Sequence, residues 1–403
     1  MIVDIKIAYR NLFRNYRRTI TILLTILLGT GALYLYHGFN NGIMNQYRIN
    51  TIKSRFGNGQ LNTIGYRDKV FEKPWEQWIT NYEDISKFAK SIPEVTHVFP
   101  RIQFFGLLTN GEISISGRGQ GVDAAVEAEF FTALSVEKGK QLTTEEDGIV
   151  LGIGLARALG VGLGDRVTIL ANTTYGSMNG ADTYVTGIFH TGAKEFDDTV
   201  FRIPLKLAMV LLDSTKVESI ALGLKGVESW DEVAKQLTEK FPKLEATPFE
   251  ILDKVYYQNS VDFLKSQFDF IRFIIIFIVI LGIFNTVSTS ILERKQEIGN
   301  LRANGESKID VLRLLVVEGV LLGLLGSFLG VLAATLLNYT LLAKGIPMPP
   351  GPGITKSFMV KVELVPLYAI TILVLGALTA FIGTIAASLK VLKEDIGNLL
   401  RSV

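Results

Sequence analysis

Reduced to apolar and polar positions, the chain divides into long runs without charge and a long middle in which polarity alternates. Between Thr19 and Tyr47 there is no Asp, Glu, Lys or Arg. The run TILLTILLGTGALYLYHGF inside that interval is long enough for a helix to cross about 30 Å of hydrocarbon. A second run, FIIIFIVILGIFNTVSTSIL, covers Phe273 to Leu292; its β-branched residues suit a strand in water, but its length and lack of charge predict a membrane helix. A third begins near Val311 and is uncharged from Gly319 to Ala343, and a fourth runs from Val365 to Leu389. A secretory signal peptide competes for the first run. No cleavage site of the A-x-A kind follows it, and the run exceeds a signal core, so an uncleaved anchor is expected.

The middle reads differently. Short alternating stretches such as EISISG, DRVTIL and TYVTGIF predict strands, and NYEDISKFAKSI and WDEVAKQLTEKF predict amphipathic helices. The expected fold is therefore an α-helical membrane protein with four transmembrane helices and a large α+β extracytoplasmic domain inserted between the first and second. Residues 1–44 hold an amphipathic amino-terminal helix and the first span, 45–265 the domain, and 266–403 three spans with a loop at 293–310 and a tail.

Charge sets the orientation. The first 18 residues carry Lys6, Arg10, Arg14, Arg17 and Arg18 against Asp4, which by positive-inside counting places the amino terminus in the cytoplasm. Arg10, Arg14, Arg17 and Arg18 are expected to meet lipid phosphates at the membrane surface. Four spans return the carboxyl tail to the same side, and the loop at 293–310, with Arg294, Lys295, Arg302 and Lys308, lies there too. The expected location is a bacterial cytoplasmic (inner) membrane.

With 48% hydrophobic and 20% charged residues, the chain is too apolar for an average soluble protein. It has no cysteine, which excludes disulfides, thiolate metal sites and a cysteine nucleophile. His37, His97 and His190 are far apart in sequence, and no metal-ligand spacing is present. A net charge of +2 without a nucleic-acid-binding motif gives no reason to expect a nucleic-acid partner.

Four local patterns bear on function. GIVLGIGLARALGVGLGDRVTIL places Gly152 and Gly154 at the spacing that opens a dinucleotide loop, but Arg157 stands where the third glycine is needed; turns between secondary elements are the expected reading. Glu195, Asp197 and Asp198 lack an oxygen-ligand loop and are expected to form a solvated turn. Gly319, Gly323, Gly326 and Gly330 give two four-residue spacings that allow close helix packing in a membrane. Glu318, just before them, needs water or a partner, with the basic loop and the amino-terminal arginines as candidates.

The loop itself, ERKQEIGNLRANGES, is more than a turn requires. Glu297, Ile298, Leu301 and Arg302 fall at helical spacing, Gly305 is placed to end that helix, and Ser307 to begin the next. A short amphipathic helix between two spans is a docking element.

Three stretches closely resemble the FtsX-like permeases, the membrane subunits of MacB-type ABC systems that include lipoprotein-releasing permeases. They are AYRNLFRNYRRTITILLTIL; the domain stretch GIVLGIGLARALGVGLGDRVTIL with GIFHTGAKEFDDTVFRIPL; and ERKQEIGNLRANGESKIDVLRLLVVEGVLLGLLGSFLG with the tail LKVLKEDIGNLLR. The resemblance implies a permease with no catalytic site and no directly bound cofactor, ATP and Mg being held by a partner ATPase dimer. It further implies pairing with a second permease copy or paralogue, contact with membrane lipids, and a periplasmic lipoprotein carrier or adaptor. In that light Glu293, Arg294, Glu297, Ile298, Leu301, Arg302 and Gly305 form the ATPase-coupling element, and ATPase motion passes to the outer domain to extract or export a lipophilic or lipidated cargo. Lipoprotein release, drug or peptide efflux, and control of a cell-wall hydrolase without transport all remain open uses of this layout.

Overall fold

The computed structural model describes residues 16–69, 74–144, 148–253, 259–349 and 355–401. The expected amino-terminal helix lies largely outside them, and with it Arg10 and Arg14; so do the prolines of the 350–354 loop. The chain forms two compact units, Met1–Asn45 with Asp262–Pro347 and Met359–Val403, and Gln46–Val261 with Met348–Phe358. The segment Met348–Phe358, placed by sequence with the spans, thus groups with the large domain.

The first span is α1 (Tyr16–Thr51). At 1.5 Å per residue its 36 residues extend about 54 Å, well beyond a hydrocarbon core of about 30 Å. Hydrophobicity marks only the stretch that lipid needs, whereas the backbone ladder continues through GIMNQYRINT until the five-residue π-helical turn Ile52–Phe56. Gly57, at φ 67°, then turns the chain into the first strand.

The large domain is one ten-stranded mixed sheet with helices. Its strands are β1 (Gly59–Thr63), β2 (Val95–Thr109), β3 (Ser114–Val122), β4 (Ser135–Gly139), β5 (Ile149–Gly152), β6 (Arg166–Asn172), β7 (Met178–His190), β8 (Val200–Pro204), β9 (Ser219–Leu224) and β10 (Leu244–Pro248). Its helices include α2 (Tyr82–Ser91), α3 (Ala124–Phe130), α4 (Ile153–Leu159), α5 (Lys194–Thr199), α6 (Leu205–Leu212) and α7 (Trp230–Lys240). The strand order is β10-β1-β9-β2-β3-β8-β5-β7-β4, with β6 pairing both β2 and β7. Alternation explains the elements. On β6, Val167, Ile169 and Ala171 are buried while Arg166 and Asn172 face out, and on α7 Trp230, Val233 and Leu237 form the inward stripe.

The remaining spans are α8 (Asn259–Leu292), α10 (Lys308–Thr340) and α11 (Pro366–Leu392); α9 (Lys295–Ala303) lies between the first two and α12 (Ile396–Arg401) ends the described chain. Together with the first, these make four helices long and apolar enough to cross a membrane among the described residues. In lipid, helices gain nothing from hydrophobic burial against each other, so close van der Waals approach decides the packing. The four glycines of α10 divide the work. A Cβ on Gly319 would lie 2.1 Å from Thr384 Oγ1 and one on Gly323 2.7 Å from the Gly376 carbonyl, both on α11. On Gly326 it would lie 2.7 Å from Ile26 Cβ, and on Gly330 2.3 Å from Thr30 Oγ1, both on α1. Steps of four, three and four residues keep all four glycines within about 60° of one helix face, so position along α10, not rotation, decides which neighbour each pair meets.

Gly323→Ala or Gly330→Ala should each destabilise the full chain in detergent by about 1–3 kcal/mol, the usual range for overpacking. Gly282→Ala, whose Cβ would meet nothing nearer than Thr25 Cγ2 at 4.0 Å, should leave the melting temperature unchanged. Equal effects of all three in a thermal melt would reject close approach as the role of the α10 glycines.

Candidate functional site

The short helix α9 is built by its own sequence. Arg294 is its N-cap residue. At its other end Gly305, at φ 97°, lets the chain reverse, and the N–H groups of Gly305 and Glu306 return to the carbonyls of Arg302 and Leu301. Ser307 then caps α10, accepting from the Asp310 N–H at 3.2 Å.

Buried charge fixes α9 to the span that follows. Arg294, only 8% exposed, donates from Nη1 to Glu318 Oε1 and from Nε to Glu297 Oε2, both at 2.7 Å. Burial works against the Arg294 cation, but Glu318 and Glu297 outweigh it and raise its pKa. Glu318, in α10, thus has the partner that an ionisable group in a span requires. Arg18 of α1 lies within electrostatic range of Arg294, Glu318, Glu297 and Glu293; Arg17 is exposed.

The carboxyl-terminal helix completes the platform. Lys295 Nζ lies 2.6 Å from Glu394 Oε1. Arg302 donates to the Leu392 and Glu394 carbonyls at the end of α11, a favourable place for a cation. Ile298, 1% exposed, and Leu399, fully buried, belong to one apolar cluster against which Leu301 packs. A Cβ on Gly299 would lie 2.9 Å from Leu399 Cβ.

The platform therefore redistributes the residues read from the sequence. Ile298 and Arg294 are buried and hold α9 in place, as do Glu297 and Arg302 through their bonds and Leu301 through its packing. Glu293 and Gly305 are exposed, together with the whole stretch Ala303–Asp310, where Ile309 is 75% exposed. Pattern reading finds the helix but credits its apolar face to a partner, when that face docks on its own chain. A signal for this was present: Ile-Gly-Asn-Leu occurs at 298–301 and again at 396–399, and the two copies pack together.

Comparison with known proteins bears on this arrangement. Residues 19–240 match the family model for the MacB-like periplasmic core domain, and residues 270–396 match that for the FtsX-like permease C-terminal region. This chain belongs to the FtsX-like permeases of the MacB type. It is similar to the lipoprotein-releasing system transmembrane protein LolC of Neisseria meningitidis, with 26% identity over 82% of this chain and 79% of that one. It is also similar to the corresponding protein LolE of Haemophilus influenzae, with 23% identity over 72% of each. Among solved structures, the periplasmic region of MacB from Actinobacillus actinomycetemcomitans aligns over 49% of this chain and 91% of its own at 14% identity, with a TM-score of 0.36. The chain is accordingly an ABC transporter permease of the MacB and LolC/LolE type.

In this permease the base of α1 is gripped within the large domain by a second buried charge cluster. Arg101, Glu127 and Arg202 are each at most 3% exposed. Glu127 receives Arg101 Nε at 2.5 Å and Arg202 Nη2 at 2.8 Å. Arg101 also donates through Nη1 to the Arg55 carbonyl in the π-helical turn. Lys53 lies 3.5 Å from the Phe130 ring centre and Arg55 4.7 Å from that of Phe196. Burial alone pushes the Glu127 pKa up, but the two arginines pull it below the usual carboxylate range. Burial brings Arg202 down to about 10. None of these residues was picked out from sequence, because a basic residue inside a strand carries no mark of its counter-charge.

The glycine and acidic motifs acquire their explanation in the same domain. A Cβ on Gly152 would lie 2.2 Å from the Asp197 carbonyl, and one on Gly154 1.8 Å from Asp198 Oδ1; the two glycines admit helix α5. The expectation of a solvated acidic turn fails for Asp197, which is 2% exposed and accepts from the Thr191 and Gly192 N–H groups at 2.8 and 3.1 Å. Its carboxylate organises that loop.

Glu127→Gln should cost about 3–5 kcal/mol, since it leaves two buried guanidinium groups without their counter-charge. A chemical denaturation curve of the full permease that does not shift would contradict the anchor. A separate effect comes from Glu218, which is buried under Tyr66 and accepts from the Gln103 N–H; burial pushes its pKa up to about 7. Because the folded value lies above the ordinary one, its favourable contribution is complete below about pH 4.5 and is lost as pH rises through 7. Glu218→Gln should therefore flatten the fall in melting temperature between pH 5 and pH 8, and a slope identical to wild type would refute the assignment.

Proposed function

We propose that this permease converts ATP hydrolysis on a separate cytoplasmic ATPase dimer, which holds the nucleotide and its Mg, into movement of the large domain that extracts a lipidated cargo, a lipoprotein in particular, from the membrane. Both termini and the α9–α12 platform face the cytoplasm in this reading, and the platform is where force enters. The observation that carries it is the combination of a rigid mount with a fully exposed tip. Salt bridges, an arginine cap and a buried Ile298–Leu399 contact hold α9, while Ala303–Asp310 projects with Ile309 uncovered.

Force applied at the tip reaches α10 directly through the Arg294–Glu318 pair and the continuous backbone after Ser307. It passes to α1 and α11 through the glycine contacts. Because α1 runs unbroken to the π-helical turn that Arg101 grips, displacement of the first span is delivered to the sheet. The family supports such coupling, and the two lipoprotein-releasing relatives support the cargo class. A second permease copy supplies the other half of the assembly, and a soluble carrier or adaptor receives the cargo.

In nanodiscs with the cognate ATPase, Ile309→Asp should lower cargo-stimulated ATP hydrolysis and lipoprotein release at least about tenfold, the effect of losing an interface hot spot. Its melting temperature should not change, because the side chain is exposed. Wild-type coupling in Ile309→Asp and in the double variant Lys308→Glu/Ile309→Asp would remove the tip from the mechanism.

A further inference from the structure

A small cavity of about 60 Å³ lies within the large domain between the π-helical turn, the sheet and α5. That is room for about four waters, or for one phosphate or carboxylate group in their place. Arg55 and Phe56 of the turn, Gln103 of β2, Arg118 and Gln120 of β3, and Phe196 of α5 line it. The lining presents guanidinium groups, carboxamides and aromatic rings, and no carboxylate.

Strand register brings these groups together. Gln103 stands opposite Gln120 and Phe105 opposite Arg118 on the antiparallel β2–β3 pair, so Gln103, Arg118 and Gln120 share one face of the sheet. Gln120 is only 6% exposed. Its Oε1 accepts from Arg202 Nε at 3.0 Å, which leaves the donor end of the carboxamide over. Among the described residues nothing accepts from that nitrogen, and no group pairs with the half-buried Arg118 guanidinium or the Gln103 side chain. Buried donors without an acceptor are rare in a folded chain, and an ion or water is the usual reason for them. The nearby carboxylates are already engaged: Glu127 by Arg101 and Arg202, and Glu218 by Tyr66 and the Gln103 N–H. Arg55 is held from both ends, its carbonyl accepting from Arg101 Nη1 and its guanidinium lying 4.7 Å from the Phe196 ring centre.

We propose that this cavity binds a small oxyanion, a phosphate or carboxylate group, held between Arg55 and Arg118 and accepting from the Gln120 carboxamide. Guanidinium forks match the paired oxygens of such groups, and these charge-assisted bonds are about twice as strong as neutral ones. Phe56 and Phe196 limit water at the rim, which strengthens the attraction further. Bound there, an oxyanion joins the turn at the foot of α1 to β3, beside the Arg101–Glu127–Arg202 cluster. It acts as a ligand-dependent strut on the connection between the first span and the sheet. Occupied, the site stiffens that connection; empty, it leaves two like charges facing each other across the cavity. Such a strut serves the first span whichever cargo the permease moves.

The full permease, purified in a maltoside detergent that brings no phosphate, is titrated at pH 7 and one ionic strength with potassium phosphate against potassium chloride. Broadening of the inorganic phosphate phosphorus resonance reads binding, and a thermal melt reads the linked stabilisation. Phosphate should broaden its resonance and raise the melting temperature in a saturable manner, and chloride should leave the melting temperature unchanged. Arg118→Gln should weaken phosphate binding about tenfold or more, the loss of a charge-assisted pair, with Arg118→Lys between it and wild type. In chloride Arg118→Gln should melt no lower than wild type, because it removes a cation without a counter-charge; lost binding is then not lost folding. Arg166→Gln, which removes an exposed arginine paired with Asp182, should bind phosphate as wild type does. Competition then sorts the source of the group. Displacement by acetate marks a carboxylate, displacement by glycerophosphoglycerol marks an anionic lipid headgroup, and displacement by neither marks free phosphate. An unbroadened resonance with wild type, wild-type binding in Arg118→Gln, or an equal loss in Arg166→Gln would overturn the proposal.

Discussion

An ionised side chain removed from water must find its counter-charge within its own chain, and this constraint organises both units of the permease. Leaving one partner of a buried pair alone costs several kcal/mol, so each pair acts as a geometric requirement on the elements that carry it. Glu318 can sit in a membrane helix because Arg294 reaches it at 2.7 Å. That requirement sets where α9 lies against α10. In the large domain Glu127 compels Arg101 and Arg202 to meet, and Arg101 in turn holds the π-helical turn at the foot of α1 through the Arg55 carbonyl. Charge is used at the points where a helix must not slip.

Elsewhere in the bundle the opposite device operates. The α10 glycines remove side chains so that Thr30, Ile26, Gly376 and Thr384 can approach. Apolar burial gives no preference between protein and lipid, so these contacts rely on fit. Among the described residues, the Arg294–Glu318 pair adds a fixed point of buried charge to this fit. The platform follows the same logic: its apolar face packs on its own carboxyl-terminal helix, and the stretch Ala303–Asp310 remains exposed.

The amphipathic helix before the third span, the cap at Ser307 and the reversal at Gly305 were all legible in the sequence, since each depends on residues a few positions apart. The spans were legible because a bilayer imposes a length and forbids charge. What covers Ile298 and Leu301, an apolar cluster that includes Leu399, was not legible, because amphipathicity shows that a face will be covered, not by what. The solvated reading of Asp197 failed similarly, because the loop N–H groups that surround it come into place only when β7 and α5 fold together.

Sequence alone determined that four helices cross a membrane, that a large α+β domain follows the first of them, and that a charged helix lies between the second and third; periodicity, turn chemistry and hydrocarbon thickness are local or global properties of the chain. Tertiary structure decided that Arg294 belongs to Glu318, that Arg101 and Arg202 share Glu127, and that the two Ile-Gly-Asn-Leu copies pack on each other. These pairings join residues distant in the chain. Their energy appears only when both partners leave water together, and no local pattern records that event.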